Sequence, residues 1–522
     1  MYISTSVKDG RVYATASKSV RKGAKVGKSD SKYLGRVIDR EKGIYKNKER
    51  GLFMYDEKTD TFSPVPADYQ EPKLKRKKKY PDRPEHIVSF GDVYLLLQFL
   101  VQSGFMYTID AIEYKNNDTL WSLLLYYILC PLSNRHAQDW WSLTYAKYLF
   151  PKAQLASQRI SEALADIGSE DAKRKFFREY FHFLEKRKDD PQAMDEEANG
   201  GILIDSTGLP NAIRFPLTAV NNHNGKISEE IRLIYVIQQS TGLPIFFRYV
   251  AGNVIDASTI TRTIAELKAN GINTKFAILD AGYYNGKNAD ALMDAGVSFI
   301  SRMDSNYKVY RRLIKNNLSS LDAKENLVRY NNRLLYIKCF PCHIGVKEDR
   351  HAYAYLCRDL TMKHELEKKL IERAEDQDLP TDEIFDTMQT QGVFVLISSR
   401  KIARNKILPL YYTRDRVEKI FELCKQDGKI LPINVETEAS FRGHLLLTFM
   451  ATSILKMLSD KLEGTSLTTE SAFMNLHEQH AIIYDDVIVT TEPTKKMNEA
   501  YRALRIECPE TLTNEFKESK AM

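Results

Sequence analysis

No apolar run in this sequence reaches the ~18 residues that a membrane span needs. The nearest, at 120–132 and 444–458, are too short or are broken by polar residues. The opening MYISTSVKDG has no apolar stretch behind a basic start, so no secretory leader is expected. Cysteine is sparse, with six in 522 residues. That is no disulfide scaffold, and a reducing compartment is expected. Internal repeats and long low-complexity tracts are also missing. Membrane-spanning, disulfide-rich, collagenous and wholly disordered classes are thereby excluded. What remains is ordinary globular material, 43% hydrophobic and 28% charged. At ~150 residues each there is length for about three or four domains, and ample length to bury a core.

The net charge of +7 is modest but unevenly placed. Residues 1–85 hold 22 Lys/Arg against 12 Asp/Glu, and the remainder is slightly acidic. Lys73, Lys75, Arg76, Lys77, Lys78 and Lys79 form the densest cluster. A clustered basic segment attracts polyanions, either nucleic acid or an anionic membrane surface. No amphipathic stretch or lipidation signal accompanies it, which favours nucleic acid. A solvated linker is the plainer alternative.

The texture changes several times along the chain. Residues 1–63 read as short strands (YIST, RVYATAS, KYLGRVI, GLFMYD) between polar turns. Residues 64–85, rich in Pro and Lys, read as a basic linker. From 86 to 188 the pattern is helical, with long apolar segments that do not alternate. Trp121, Trp140 and Trp141 lie here and are expected in the core rather than as a base-stacking platform. Segments 154–168 and 169–188 form a helix pair with a Gly turn, either a helix-turn-helix-like device or a packing unit. The polar stretch 189–201 is a boundary. Beyond it the pattern is α/β: a strand in GILIDSTGLP, a hairpin around Thr241-Gly242, and a helix from Asp256 as N-cap. A buried strand in KFAILDAGYY, a helix and the strand VSFISRM follow. Such an order suggests a mixed sheet carrying helices. Residues 307–392 interrupt it with strand-like pieces, a charged helix and an acidic loop at 375–387. GVFVLISS then resumes the sheet. Helices are expected at about 409–426 and 436–462, followed by a less informative tail, 463–522.

Two acids end hydrophobic strands: Asp205 after GILI and Asp280 after KFAIL. The C-terminal ends of strands in open α/β sheets are where ligands bind. The plain alternative is an Asp that starts a turn. Carboxylates grouped there bind hard divalent cations such as Mg²⁺, and a pair of such ions can hold the attacking and leaving oxygens of a phosphoryl transfer. A third feature is YYTRDRVEKIFELCKQD. At ~100° per residue on one helix, Tyr411, Arg414, Glu418 and Lys425 share a narrow stripe. Val417, Ile420, Phe421 and Cys424 form the neighbouring apolar stripe. An Arg414–Glu418 i, i+4 surface pair is the plainer reading of the same pattern.

The spacing Tyr-x2-Arg-x3-Glu-x6-Lys, met by Tyr411, Arg414, Glu418 and Lys425, resembles the YREK group of bacterial insertion-sequence DDE transposases. ILIDSTGL and ILDAGYYN resemble that group's two aspartate strands. YVAGNVIDASTI, ASFRGHLLLTFMATSI and the opening that ends in KYLGR resemble stretches of one branch of it. The resemblance runs over about residues 1–510 and is strongest over 200–460. It implies an RNase H-like mixed-sheet α/β core in two parts, 200–306 and 393–462, split by a mostly β insertion at 307–392. A small β-rich N-terminal region and a helical DNA-binding domain precede the core. It further implies that Asp205, Asp280 and Glu418 are the catalytic, metal-binding triad, using Mg²⁺ with Mn²⁺ able to substitute. Tyr411, Arg414 and Lys425 would contact DNA near the cleaved end. The implied activity is metal-dependent cleavage at element ends and strand transfer to target DNA. A homodimer would act on double-stranded DNA in the cytoplasm, at the bacterial nucleoid. Two other readings share these features: a metal-dependent DNase of the same fold that does not join ends, and a non-enzymatic DNA-binding protein descended from a transposase.

Other signals are weaker. Cys339-Phe-Pro-Cys342-His343 matches a haem-attachment pattern without an export signal. With His351 or Cys357 the same residues could ligate zinc, but half-buried structural cysteines are the simpler expectation. Gly282–Lys287 is one residue short of a phosphate loop. His444 is expected as a packed histidine. Cys130, Cys424 and Cys508 have no nucleophilic context.

Overall fold

The computed structural model describes residues 1–8, 11–22, 25–40, 42–66, 69, 84, 86–187, 201–211, 215–223, 226–254, 258–347, 349–377, 380–426, 428–433, 435–484 and 487–513. Most of the basic segment 64–85, most of the boundary 189–201, Asp256 and Asp427 lie outside the described residues. The chain forms two compact units, Met1–Pro81 and Asp82–Met522.

The first unit is an antiparallel meander of six strands in sequential order: Tyr2–Lys8, Arg11–Lys22, Lys25–Asp39, Ile44–Asn47, Gly51–Asp56 and Thr61–Pro64. Its small core is Ala14, Ala16, Leu34, Tyr45, Phe53 and Tyr55. The glycine of KYLGR has a structural reason. Gly35 has φ +86°, and a side chain there would overlap the Lys46 carbonyl oxygen on the next strand.

The second unit is built on a mixed sheet of ten strands. Its path runs Pro244–Ala251, Lys226–Gln238, Gly201–Pro210, Phe276–Leu279, Ser298–Met303, Val393–Ser398, His351–Asp359, Arg333–His343 and Leu327–Tyr330. A further strand, Ala219–His223, pairs with Lys226–Gln238. The first three strands are antiparallel, and the next two run parallel to Gly201–Pro210. In chain order, leaving out Ala219–His223, this is 3-2-1-4-5, the RNase H-like arrangement that the resemblance implies. Phe276–Leu279 is buried at all four positions. A parallel strand covered on both faces reads as a continuous apolar run, which is why FAIL shows no alternation. The hairpin turns at Thr241-Gly242, where Gly242 takes φ +71°.

Segment 307–392 adds three strands to the far side of the same sheet. It also carries the helices Lys308–Asn317, Leu360–Gln377 and Thr381–Thr390. The expected mostly β insertion is therefore strand and helix together, and the expected acidic loop at 375–387 is largely helical. Its charges face water, so its composition alone resembles a loop.

Helices from Gly91 to Lys186 share one hydrophobic core with the sheet. Phe177 packs on Phe246 at 5.1 Å and on Phe449 at 5.3 Å, and the Tyr180 hydroxyl donates to the Pro244 carbonyl at 2.6 Å. The long helix Glu438–Leu462, capped by Thr437, runs through this core. The helix pair Ser157–Ile167 and Glu170–Lys186 is a packing unit against it. Gly168 and Gly443 both sit where a side chain would overlap backbone of the other helix. Trp121 and Trp140 are buried, and Trp121 stacks on Phe150. The strand His86–Ser89 pairs with His480–Ile483, so the tail closes a small four-stranded sheet with the start of this unit. Among the described residues, no helix is long and apolar enough to cross a membrane.

Candidate active site

Asp205 and Asp280 come together through strand register. In the parallel ladder Ile204 is opposite Leu279, the last pair. Each aspartate is the next residue after its member of that pair: Asp280 follows the end of its strand, while Asp205 sits within Gly201–Pro210, paired with Tyr235, where the parallel ladder stops. Asp205 Oδ1 accepts from the Ser206 amide at 2.8 Å, and Ser301 Oγ donates to the Asp280 carbonyl at 3.1 Å. Both backbones are thereby anchored.

Glu418 arrives on the helix Asp415–Gln426. Val417, Ile420, Phe421 and Cys424 are buried, as the apolar stripe requires. Phe421 stacks on Tyr235, a residue of the strand beside Asp205, with ring centroids 5.6 Å apart. Lys425 Nζ donates to Thr207 Oγ1 at 2.6 Å, tying the far end of the helix to the Asp205 strand. Arg416 donates to the carbonyls of Gln239 and Ser240 and ties the near end to the hairpin. Sequence reading missed Thr207, Ser301 and Arg416. For Thr207 a signal existed: it lies two residues after Asp205, hence on the same face of the strand.

Arg414 gathers the three acids. Its Nη1 lies 3.0 Å from Asp280 Oδ1 and 3.7 Å from Asp205 Oδ2, and its Nη2 lies 3.0 Å from Glu418 Oε1. Burial works against its charge, but Asp280, Tyr411, Asp205 and Glu418 outweigh that and hold the guanidinium above its ordinary pKa. Side-chain exposure rises from 15% at Asp205 through 40% at Asp280 to 61% at Glu418, so the cluster opens to solvent on the helix side.

The expected single helix through Tyr411 and Glu418 is instead two. Arg404–Tyr412 ends and Asp415–Gln426 begins across a tight turn. Amides of Thr413, Arg414, Arg416 and Val417 each bond three residues back, and Thr413 Oγ1 takes the Leu410 carbonyl. A hydroxyl that competes for a backbone acceptor loosens a helix at that point. Tyr411, near the end of the first helix, is buried at 5% exposure, close enough to Arg414 and Asp280 for their charges to act on its hydroxyl. Burial pushes its hydroxyl up to about 12.

Residues 197–454 match the family model of the transposase DDE domain. This stretch is similar to the DDE domain of transposases. The match spans both aspartate strands, the segment 307–392, the Glu418 helix and most of the long buried helix. Among solved structures, the cryo-EM structure of a piggyBac transposase synaptic complex with hairpin DNA is similar at 12% identity. The match covers 83% of this chain and 85% of that one, with a TM-score of 0.37. No curated protein matches the chain.

Among the described residues no group of three His, Cys, Asp or Glu side chains is arranged to hold a metal ion. The three acids converge on the guanidinium instead. Their chemistry still fits a hard divalent cation: all donors are oxygen, and they already surround a positive charge. Elsewhere, Cys339 and Cys342 are half-buried in the strand Arg333–His343, where burial pushes Cys342 up to about 11. His444 is packed: Nδ1 meets the Tyr127 hydroxyl at 2.9 Å, Nε2 the Ile430 carbonyl at 3.2 Å, and burial pushes its pKa down to about 4.

Proposed function

We propose that the chain is an insertion-element DDE transposase of the YREK group that cuts DNA at element ends and joins them to target DNA. The observation that carries this is the convergence of Asp205, Asp280 and Glu418 on one guanidinium, within a segment matched by the transposase DDE domain. One strand interior, one strand end and one packed helix supply the acids, and such rigid elements are how a site holds its groups in register.

Asp205, Asp280 and Glu418 would hold Mg²⁺ or Mn²⁺. Bound there, the metal would supply positive charge for the attacking and leaving oxygens of an in-line phosphodiester displacement. The chain's own residues position the DNA. Arg414, with its planar fork, and Lys425 grip phosphate oxygens next to the cleaved bond without reading sequence. Tyr411 keeps its proton at neutral pH and offers a neutral donor beside the acids. The basic N-terminal region and the helical segment engage the double-stranded element ends, and a homodimer holds two ends together.

The test is cleavage of duplex DNA carrying the element's own flanking ends, with Mg²⁺ or with EDTA, by wild type and Glu418→Gln. Metal-dependent nicking at the element boundary that is lost in the variant is expected. Joining of a 3′-OH donor to a second duplex separates a transposase from a plain DNase. Tight binding to the ends without any cutting would overturn the enzymatic reading.

A further inference from the structure

Arg414 contacts all three of the acids that would hold a divalent ion. Its two terminal nitrogens are both spent on the acids: one serves Asp280 and Asp205, the other Glu418. The same side chain is the one proposed to grip a DNA phosphate. A guanidinium has donors only, in one rigid plane, and cannot serve the carboxylates and a phosphate at full strength together. A divalent ion and Arg414 also compete for the same carboxylate oxygens.

We infer that Arg414 is an internal counter-cation that keeps the divalent metal off the triad until a DNA phosphate draws the guanidinium away. The inference rests on the triad reading above. Three features of the structure support it. Without Arg414, three carboxylates would stand together without the cation that now faces all of them, and like charges held this close repel. The guanidinium therefore keeps the acids in register before metal is present. Arg414 also sits in the tight turn between the helices Arg404–Tyr412 and Asp415–Gln426, so its side chain can turn away without unwinding the helix that carries Glu418. Lys425 is already engaged with Thr207, which leaves Arg414 as the cation that faces all three acids.

The consequence is thermodynamic coupling. If phosphate removes a competitor of the metal, DNA raises metal affinity, and metal raises DNA affinity by the same factor. The free protein would load metal poorly until it meets DNA.

The experiment reads metal binding rather than activity. Free Mn²⁺ is followed by electron paramagnetic resonance as it is titrated into the full chain, with and without a short mixed-sequence duplex at low salt. The same duplex alone gives the background. Wild type, Arg414→Gln, Arg414→Lys and Glu418→Gln are compared, each first shown to keep the wild-type circular dichroism. For wild type, DNA is expected to tighten Mn²⁺ binding about tenfold or more, within the usual range of coupling between sites. Arg414→Gln is expected to bind Mn²⁺ about tenfold tighter than wild type without DNA and to lose most of the gain from DNA. Arg414→Lys, which keeps a charge but not the fork, is expected to fall between them. If Arg414→Gln binds Mn²⁺ no tighter than wild type while Glu418→Gln weakens binding, the counter-cation role is overturned and the triad stands. If Glu418→Gln binds as wild type does, the triad reading itself fails.

Discussion

Arg414 Nη1 lies 3.0 Å from Asp280 Oδ1, a contact between a helix–helix turn and the end of a parallel strand. More than a hundred residues of chain, including five strands of the same sheet, separate the two in sequence. The contact exists because two elements of very different origin each stop at the same edge. Asp280 stops there because its strand is four residues long and fully buried. Arg414 stops there because the chain tightens at Thr413. Both causes are local, and only the sheet joins them.

Asp280→Asn preserves the shape of the side chain and deletes its charge. Cleavage of element-end DNA with Mg²⁺ is expected to fall by about 100-fold or more, the scale seen when one preorganised electrostatic group is removed. The carboxylate is 40% exposed, so thermal stability should stay near wild type, as it does for most surface substitutions. Rate and melting temperature, measured on the same preparation, check this. Unimpaired cleavage would remove Asp280 from the site.

Lys425→Ala removes one phosphate-binding cation and the bond to Thr207. Affinity is expected to weaken about equally for element-end and unrelated duplexes. The slope of log K against log salt should become shallower by about one unit. Fluorescence anisotropy across a salt series measures both. A loss confined to element ends would mean that Lys425 reads sequence.

His444 predicts a pH dependence of stability. Its folded pKa is pushed down to about 4, below the ordinary 6.5, chiefly by burial. Above pH ~6.5 it is neutral in both states and contributes no slope. As pH falls from there toward 4, the unfolded chain takes up a proton that the folded chain refuses, and stability drops. At ~1.4 kcal/mol per unit this amounts to about 3 kcal/mol. Urea midpoints between pH 7 and pH 4 should fall more steeply for wild type than for His444→Gln. Parallel curves would show that His444 does not titrate this way.

Gly443→Ala tests the helix crossing. A methyl group there would overlap the Leu164 carbonyl oxygen, which belongs to the backbone and cannot swing aside. The expected cost is about 1–3 kcal/mol, the range for overpacking a tight core, with a lower melting temperature. Gly464→Ala is the comparison: nothing approaches within 4 Å, but φ is +86°. Its cost should come from backbone strain alone, at about 1 kcal/mol. Equal effects at both positions would argue against the close crossing.

Both aspartates were legible because a buried parallel ladder writes itself as an unbroken apolar run, and the first acid after the run marks where that ladder stops; the strand itself ends there at Asp280 but runs on to Pro210 beyond Asp205. Glu418 was legible through the apolar stripe Val417–Ile420–Phe421–Cys424, which fixes the rotation of its helix. The break between the helices of Tyr411 and Glu418 was not legible, because a stripe drawn at a constant angle per residue assumes an unbroken helix. One threonine hydroxyl at 413 ended that assumption. The acidic texture of 375–387 resembled a loop because a helix exposed to water needs no apolar face.

From sequence alone come the mixed α/β class, Asp205, Asp280 and Glu418 as candidate acids with Arg414 one turn before Glu418, and the basic bias of the N-terminal region. Each is written in local patterns: runs, periods and charge counts within a few turns of chain. Tertiary structure alone decided that the helices of 91–186 share their core with the sheet, that 307–392 extends that same sheet, and that His86–Ser89 pairs with His480–Ile483. It also decided that Arg414 faces all three acids at once. These are pairings across tens to hundreds of residues. Nothing local encodes them, because they are selected by which apolar faces can cover one another once the whole chain is compact.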